Sequence, residues 1–168
     1  MKSAKPKVLH EMAGRALIEH VLTTAEAVSP TTTTVIVGHA AESVQDRLGD
    51  RPGLTFAIQE PQLGTAHALQ QAEPNLNGRS GTLVLLSGDV PLLSRRTLET
   101  LVQAHRGAQA AATVVTAIVD RPFGYGRIVR SKGHIVRIVE ERDASPAQRQ
   151  IKEINSGIYA FDLAPLFD

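Results

Sequence analysis

Apolar and β-branched residues gather in four short runs along the chain, separated by stretches with helical spacing. Thr33–Val37 ends at Gly38, Leu54–Ile58 follows the Pro52-Gly53 turn, Thr82–Leu86 ends at Ser87-Gly88-Asp89, and Ala112–Val119 runs to Asp120. Runs of this length, bounded by Gly, Pro, Ser and Asp, predict strands. Thr82–Leu86 is almost unbroken in its apolar character, which predicts a central strand covered on both faces. Ala16–Ala27, Ala41–Leu48, Gly64–Ala72 and Ser94–His105 read as helices, with Ser94 placed to cap the last of them. The order α-β-α-β-α-β-α-β is that of βαβ units, so the expected class is a layered α/β fold with a mostly parallel sheet.

The final third changes character. Gly126–Arg130 and His134–Val139 flank Ser131-Lys132-Gly133, a pattern that predicts an antiparallel hairpin. Asp143–Gln150 is polar and contains Pro146, which fits a loop or short helix before a last strand through Ile154–Phe161. The chain has 168 residues, 42% hydrophobic and 21% charged, which predicts one ordinary globular domain over residues 1–168.

Eighteen Lys and Arg against seventeen Asp and Glu leave a net charge of +1, so no basic field supports binding to nucleic acid. The absence of Cys removes disulfides and thiolate chemistry, and it fits a reducing compartment. The basic Met1–Lys7 stretch is followed only by Val8 and Leu9, so no signal-peptide core follows it. Ala110–Val119, the longest mostly apolar stretch, is too short to span a bilayer. A cytoplasmic protein with no membrane partner is the expectation.

Ligands of open α/β sheets bind beyond the carboxyl ends of the strands, so the loops there are the first candidates. After Leu54–Ile58 comes Gln59-Glu60-Pro61-Gln62-Leu63-Gly64-Thr65, in which Gly64 permits close backbone approach and Thr65 opens a helix. The same residues also serve as a plain strand-to-helix turn. After Thr82–Leu86 comes Asp89, a carboxylate able to hold a hard divalent cation or simply to cap its turn. Gly124-Tyr125-Gly126 suits either a backbone surface against a ligand or a glycine-flexed strand entry. Glu140 and Glu141 leave the hairpin on opposite faces, so one is expected to face a cleft and the other water. The six histidines are scattered without metal-ligand spacing, which disfavours zinc, and no Walker A, Gly-x-Ser-x-Gly or Gly-x-Gly-x-x-Gly pattern occurs.

Met1–Leu9, Gln62–Ala68, Gly88–Leu92, Gly124–Ile128, Val139–Ala144 and Glu153–Gly157, in this order, resemble a known family. It is the uridyltransferase domain of the bifunctional bacterial N-acetylglucosamine-1-phosphate uridyltransferase/glucosamine-1-phosphate acetyltransferase, within the nucleotidyltransferases. Each motif is weak alone, and together they span nearly the whole chain. The resemblance implies a Rossmann-like three-layer fold and transfer of a uridylyl group from UTP to N-acetylglucosamine-1-phosphate, releasing pyrophosphate. By the same resemblance Lys7 meets phosphate, Gln59, Gly64 and Thr65 hold the uridine, Asp89 binds Mg²⁺, and Gly126, Glu140 and Asn155 hold the amino sugar. Lys7 and Asp89 are the implied catalytic pair.

The family pattern also has a first strand and a Gly-x-Gly-Thr-Arg loop ahead of the Met1 position. It continues past Asp168 into a second metal ligand and a left-handed β-helix through which the family trimerises. The resemblance therefore implies an incomplete nucleotidyltransferase fold, with an open place in the middle of the sheet, marginal stability and impaired turnover. A nucleotidyltransferase for another sugar-1-phosphate and a non-catalytic nucleotide-binding remnant are the alternative readings.

Overall fold

The computed structural model describes residues 5–49, 51–76 and 78–167. Met1–Ala4, the start of the first family-like motif, lie outside them. After a 3-10 turn at Lys7–Leu9, a small hairpin joins β1 (Glu11–Met12) to β2 (Arg15–Ala16) and leads into α1 (Leu17–Ala25). The expected helix over Ala16–Ala27 thus starts one residue later and ends in a separate 3-10 turn, Glu26–Val28. Then come β3 (Thr33–Val37), α2 (Ala41–Leu48), β4 (Leu54–Ile58), α3 (Thr65–Gln71), α4 (Glu73–Leu76), β5 (Thr82–Leu85), α5 (Arg95–Ala108) and β6 (Ala112–Ile118). The C-terminal third contains β7 (Arg127–Ser131), β8 (His134–Val139), α6 (Pro146–Arg149) and β9 (Glu153–Asp162).

Local signals account for most boundaries. The Ser94 side chain accepts the Thr97 N–H at 3.1 Å and caps α5, as its position predicts. The β7–β8 hairpin turns on Lys132 and Gly133, both with positive φ, the geometry of a tight antiparallel turn. In the polar Asp143–Gln150 stretch, Ser145 and Gln148 exchange capping hydrogen bonds, which lets a helix as short as α6 form.

The α/β class stands, and the strand directions explain why the alternation pattern over-counts parallel pairing. β3 and β4 form a parallel pair in register Val35 opposite Phe56. β5 and β6, joined through α5, run the same way, but they are not neighbours. The ten-residue β9 lies between them and runs antiparallel to both, with Leu85 and Val114 each opposite Tyr159. Its first half also meets β7, Ile154 opposite Arg127, and β8 completes the sheet beyond β7. Among the described residues, no ladder joins the β3–β4 pair to this five-stranded sheet.

That arrangement corrects the expectation for Thr82–Leu86. Among the described residues β5 pairs along one edge, with β9, and all four of its residues are half-buried rather than covered on both faces. An apolar run reports burial somewhere in a sheet but not how many neighbours the strand has.

Two cores hold the elements. Leu9, Ala16, Ile18, Val35, Val37, Val44 and Leu48 pack α1 and α2 against the β3–β4 pair. Leu98 and Leu101 of α5 meet Ile158 and Ala160 of β9, and Leu98 and Ala160 are fully buried. Glu19 ties α1 to the region of α2, accepting the Ala16 N–H at 2.8 Å and pairing with Arg47 and Arg51 at 2.9 and 3.3 Å.

Two outcomes follow from this packing. Leu98→Ala leaves a hole where α5 meets β9 and is expected to cost about 2–5 kcal/mol in urea unfolding, with Leu98→Met costing less than about 1.5. A loss below about 1 kcal/mol for the alanine variant would show that this contact does not hold the helix. At the edge of β9, Arg130 grips Glu153 through two hydrogen bonds of 2.7 and 2.8 Å. Arg130, then Thr116, hold the Glu153 carboxyl down at about 2 against an opposing burial effect. A folded value below the unfolded one means that this stabilisation is present above about pH 4.5 and is lost as pH falls towards 2. Glu153→Gln should flatten that acid limb of the stability curve, and an unchanged limb would contradict the pairing.

Candidate active site

The residues singled out from the sequence fall into three groups. The first begins at the Lys7–Leu9 turn. Gly88 has no side chain to hold that turn away: a Cβ there would lie 3.3 Å from the Val8 side chain and 3.6 Å from Ile18. The close approach brings Lys7 Nζ to 2.5 Å from Asp89 Oδ2, in the loop that leaves β5. The Asp89 hydrogen bond and charge raise the Lys7 pKa above its ordinary value, with a smaller push from Tyr125. Asp89 is the residue able to ligate a cation here. Among the described residues no cluster of three or more His, Cys, Asp or Glu could hold a metal ion by itself. A lone carboxylate suits Mg²⁺, which keeps several waters and is usually held by one or two carboxylates together with substrate phosphates.

The second group follows β4. The Gln59 side-chain amide donates to the Gly64 carbonyl at 2.9 Å and lies 3.2 Å from His67 Nδ1. A carbonyl can only accept, so the amide nitrogen must face Gly64, and His67 Nδ1 accepts from the same nitrogen. The Gln59 orientation is therefore set by its own loop. Gly64 has φ +100°, a conformation that a side chain strains, and it hands the chain directly to Thr65 at the start of α3.

The third group assembles at the β7–β8–β9 junction. The Gly126 carbonyl accepts the Asn155 N–H at 2.8 Å. A Cβ at Gly126 would meet Glu140 Oε1 at 3.1 Å, Ile138 at 3.2 Å and Asn155 at 3.5 Å. Gly126 thus touches both Glu140 and Asn155, although 29 positions separate it from the latter. The Asn155 side-chain oxygen accepts the Gly157 N–H at 2.9 Å, which fixes that amide as well.

The second and third groups share one space. An open cleft of about 480 Å³ is lined by Gly64 and Thr65 on one side and by Glu140, Glu141 and Arg142 on the other. The loop that carries Asp89 starts beside the third group, because a Cβ at Gly157, whose N–H Asn155 accepts, would lie 3.4 Å from Ser87 Oγ. The second and third groups therefore face each other across one opening, and the Lys7–Asp89 pair stands on the loop that leaves β5 past Ser87.

The expectation for the two glutamates holds for one of them. Glu140 is exposed beside Gly126, but Glu141 is half-buried and engaged rather than freely solvated: its carboxylate takes the Arg127 guanidinium at 2.6 Å and the Gly124 N–H at 3.1 Å. Strand alternation ends at Val139, and the 3-10 turn Glu141–Asp143 redirects the second carboxylate inward. Sequence reasoning also passes over Tyr159. This tyrosine sits two alternations beyond Asn155 on β9 and stacks on Phe161 with ring centroids 5.5 Å apart. Burial raises its pKa, a hydrogen bond with Asn155 lowers it, and the Glu140 charge raises it, which places its hydroxyl among the third group. Counting by twos along the last strand would have found it.

A family model described as nucleotidyl transferase matches residues 1–166. The chain is 48% identical over 169 residues to the bifunctional protein GlmU of an Exiguobacterium species, covering all of this chain and 37% of that relative. It is 50% identical over 163 residues to the GlmU of Brevibacillus brevis, covering 96% of this chain and 35% of that one. The chain thus spans little more than a third of these curated relatives. Among solved structures, UDP-glucose pyrophosphorylase complexed with UDP-glucose superposes with a TM-score of 0.73 at 15% identity, covering 94% of this chain and 68% of that one. That likeness is one of fold.

The Lys7–Asp89 pair makes a direct chemical prediction. With its pKa raised, Lys7 holds less neutral amine at about pH 9 than a free lysine does. Asp89→Asn is expected to speed acylation of Lys7, read by mass spectrometry against Lys132 as internal reference. Equal rates before and after the substitution would contradict the ion pair.

Proposed function

Because this chain belongs to the nucleotidyl transferase family, we propose that its cleft transfers a uridylyl group from UTP to N-acetylglucosamine-1-phosphate, giving UDP-N-acetylglucosamine and pyrophosphate. The observation that carries this reading is the placement of Gly64 and Thr65 across one cleft from Glu140, with Gly126 packed between that carboxylate and Asn155. A nucleoside on the first wall and an amino sugar on the second meet end to end, which is the geometry a nucleotide-sugar linkage requires. Similarity to GlmU proteins across 96–100% of the chain supports the choice of this sugar over others.

The reaction asks for alignment more than for proton transfer. A sugar phosphate is already ionised near neutral pH, so its oxygen attacks the α-phosphorus of UTP without a general base. One P–O bond forms to the sugar phosphate, the α–β bridging bond breaks, and its electron pair leaves with pyrophosphate. Lys7 places a fixed positive charge where phosphate charge grows. Asp89 would hold Mg²⁺, which when bound neutralises phosphate oxygens. Gln59 presents its carbonyl oxygen, the amide nitrogen being engaged by Gly64 and His67, and a carbonyl accepts the imide N–H that uracil has and cytosine lacks. Glu140 accepts hydrogen bonds from sugar hydroxyls, and Asn155 meets the acetamide.

Pyrophosphate release from a matrix of nucleoside triphosphates and sugar-1-phosphates tests the reading. UTP with N-acetylglucosamine-1-phosphate should lead; another leading pair would reassign the substrate, and nucleotide binding without release for any pair would favour a binding module. In the active protein, Glu140→Ala or Asn155→Ala should weaken the sugar phosphate by about 1–3 kcal/mol, the usual cost of an unmatched polar group, with less effect on UTP. Gly126→Ala should do the same by pressing on the Glu140 carboxylate. Equal losses for both substrates would point to a structural role for these residues.

A further inference from the structure

Arg127 is the largest fully buried side chain among the described residues, with 1% of it reaching solvent. It is the first residue of β7, and in the sheet it stands opposite Val139 of β8 and Ile154 of β9. Each of those neighbours comes one residue before a member of the candidate sugar subsite, Glu140 and Asn155, and Arg127 itself follows the third, Gly126. Side chains in register share a face, so Arg127 leaves from the side of the sheet opposite that subsite. From there its guanidinium reaches around the strand ends, donating to the Tyr125 carbonyl and to Glu141 Oε2. The same carboxylate oxygen also accepts the Gly124 N–H, and Arg149 lies 3.7 Å from its partner oxygen.

A buried charge in this position is not explained by stability. Ion pairs withdrawn from water are often replaced by apolar residues of similar size without loss, because desolvation offsets the attraction. Arg127 also leaves its Nε buried without a hydrogen-bond partner, a further cost that an apolar side chain would not carry. What an apolar side chain cannot do is hold the Tyr125 carbonyl and a carboxylate at once, in a fixed planar fork. Gly124–Gly126 and Glu140–Glu141 are otherwise two separate chain segments whose spacing sets the contact between Gly126 and Glu140.

We propose that Arg127 is a positioning residue for sugar recognition: it clamps the Gly124–Gly126 loop to the Glu140–Glu141 corner from behind the sheet and so sets the gap that receives the sugar. It touches no substrate. The inference rests on the reading of this cleft as a sugar-phosphate site, and it assigns the spacing of that site to an arginine buried behind the sheet and held by Glu141 at the cleft's margin.

The test uses Arg127→Met together with Glu141→Leu, which removes both charges at similar volume, and Arg127→Lys, which keeps the charge without the fork. Titration calorimetry measures N-acetylglucosamine-1-phosphate and UTP separately, and steady-state kinetics measures KM for each. The expected result for both variants is a cooperative melt near that of the unsubstituted protein, about a tenfold weaker sugar phosphate and UTP within about twofold, a difference of about 1.4 kcal/mol between the two ligands. A folded double variant with unchanged sugar affinity would overturn the proposal, as would equal loss of both ligands. Failure of both variants to fold would also overturn it, by making the pair a structural requirement. If the unsubstituted protein bound UTP but no sugar phosphate, the functional reading itself would fall, an outcome visible before any variant is made.

Discussion

The structure depends on the insertion of β9 between β5 and β6. The two parallel strands are drawn apart by one strand width, and the last ten-residue segment fills the space while bonding to both. Because β9 also meets β7, a single strand connects the α5-covered half of the sheet to the hairpin half. The strand does not pass through straight. Its register against β6 shifts between Val114 and Thr116, where Ser156 Oγ donates to the Val115 carbonyl at 2.6 Å and Gly157 takes φ +77°. The bulge takes up the residues between Asn155 and Tyr159, which pair regularly with Thr116 and Val114 on either side of it.

The site inherits its geometry from that strand. Gly157 lies against Ser87 at the start of the Asp89 loop, and Asn155 receives Gly126 from the other direction. Gly88 then lets the Lys7 turn settle beside Asp89. Three glycines at three contacts therefore bring together a cation, a carboxylate and a hydrogen-bonding pocket that are far apart in sequence. The charges are arranged in balance: Lys7 offsets Asp89 and Arg127 offsets Glu141, while Glu140 keeps its carboxylate exposed towards the cleft.

Much of this is legible in the sequence where signals are local. The four apolar runs, the Ser94 cap and the Lys132-Gly133 turn each specify their element by short-range chemistry, and the structure follows them closely. The loops after the strands also name residues that converge, including the contact of Gly126 with Glu140. What local signals do not carry is adjacency. The β5–α5–β6 alternation correctly implies parallel direction, yet nothing in either run says that Glu153–Asp162 will come between them. The same limit hides the Arg127–Glu141 pair, since its meaning lies in which chain segments it joins. Tyr159 is a different case: its period-two relation to Asn155 is present in the sequence, but only a strand known to face the cleft makes that relation informative.

The central claim is that one cleft seats a nucleoside at the Gln59–Thr65 turn and an amino sugar against β9. A crystal structure of the protein with UDP-N-acetylglucosamine tests it most directly, because the product carries both halves. The account predicts the uracil within hydrogen-bond distance of Gln59 and the acetamido sugar in contact with Gly126, Glu140 and Asn155. A product molecule with its sugar directed away from β9, or with both rings on the Gly64 side of the cleft, would contradict it.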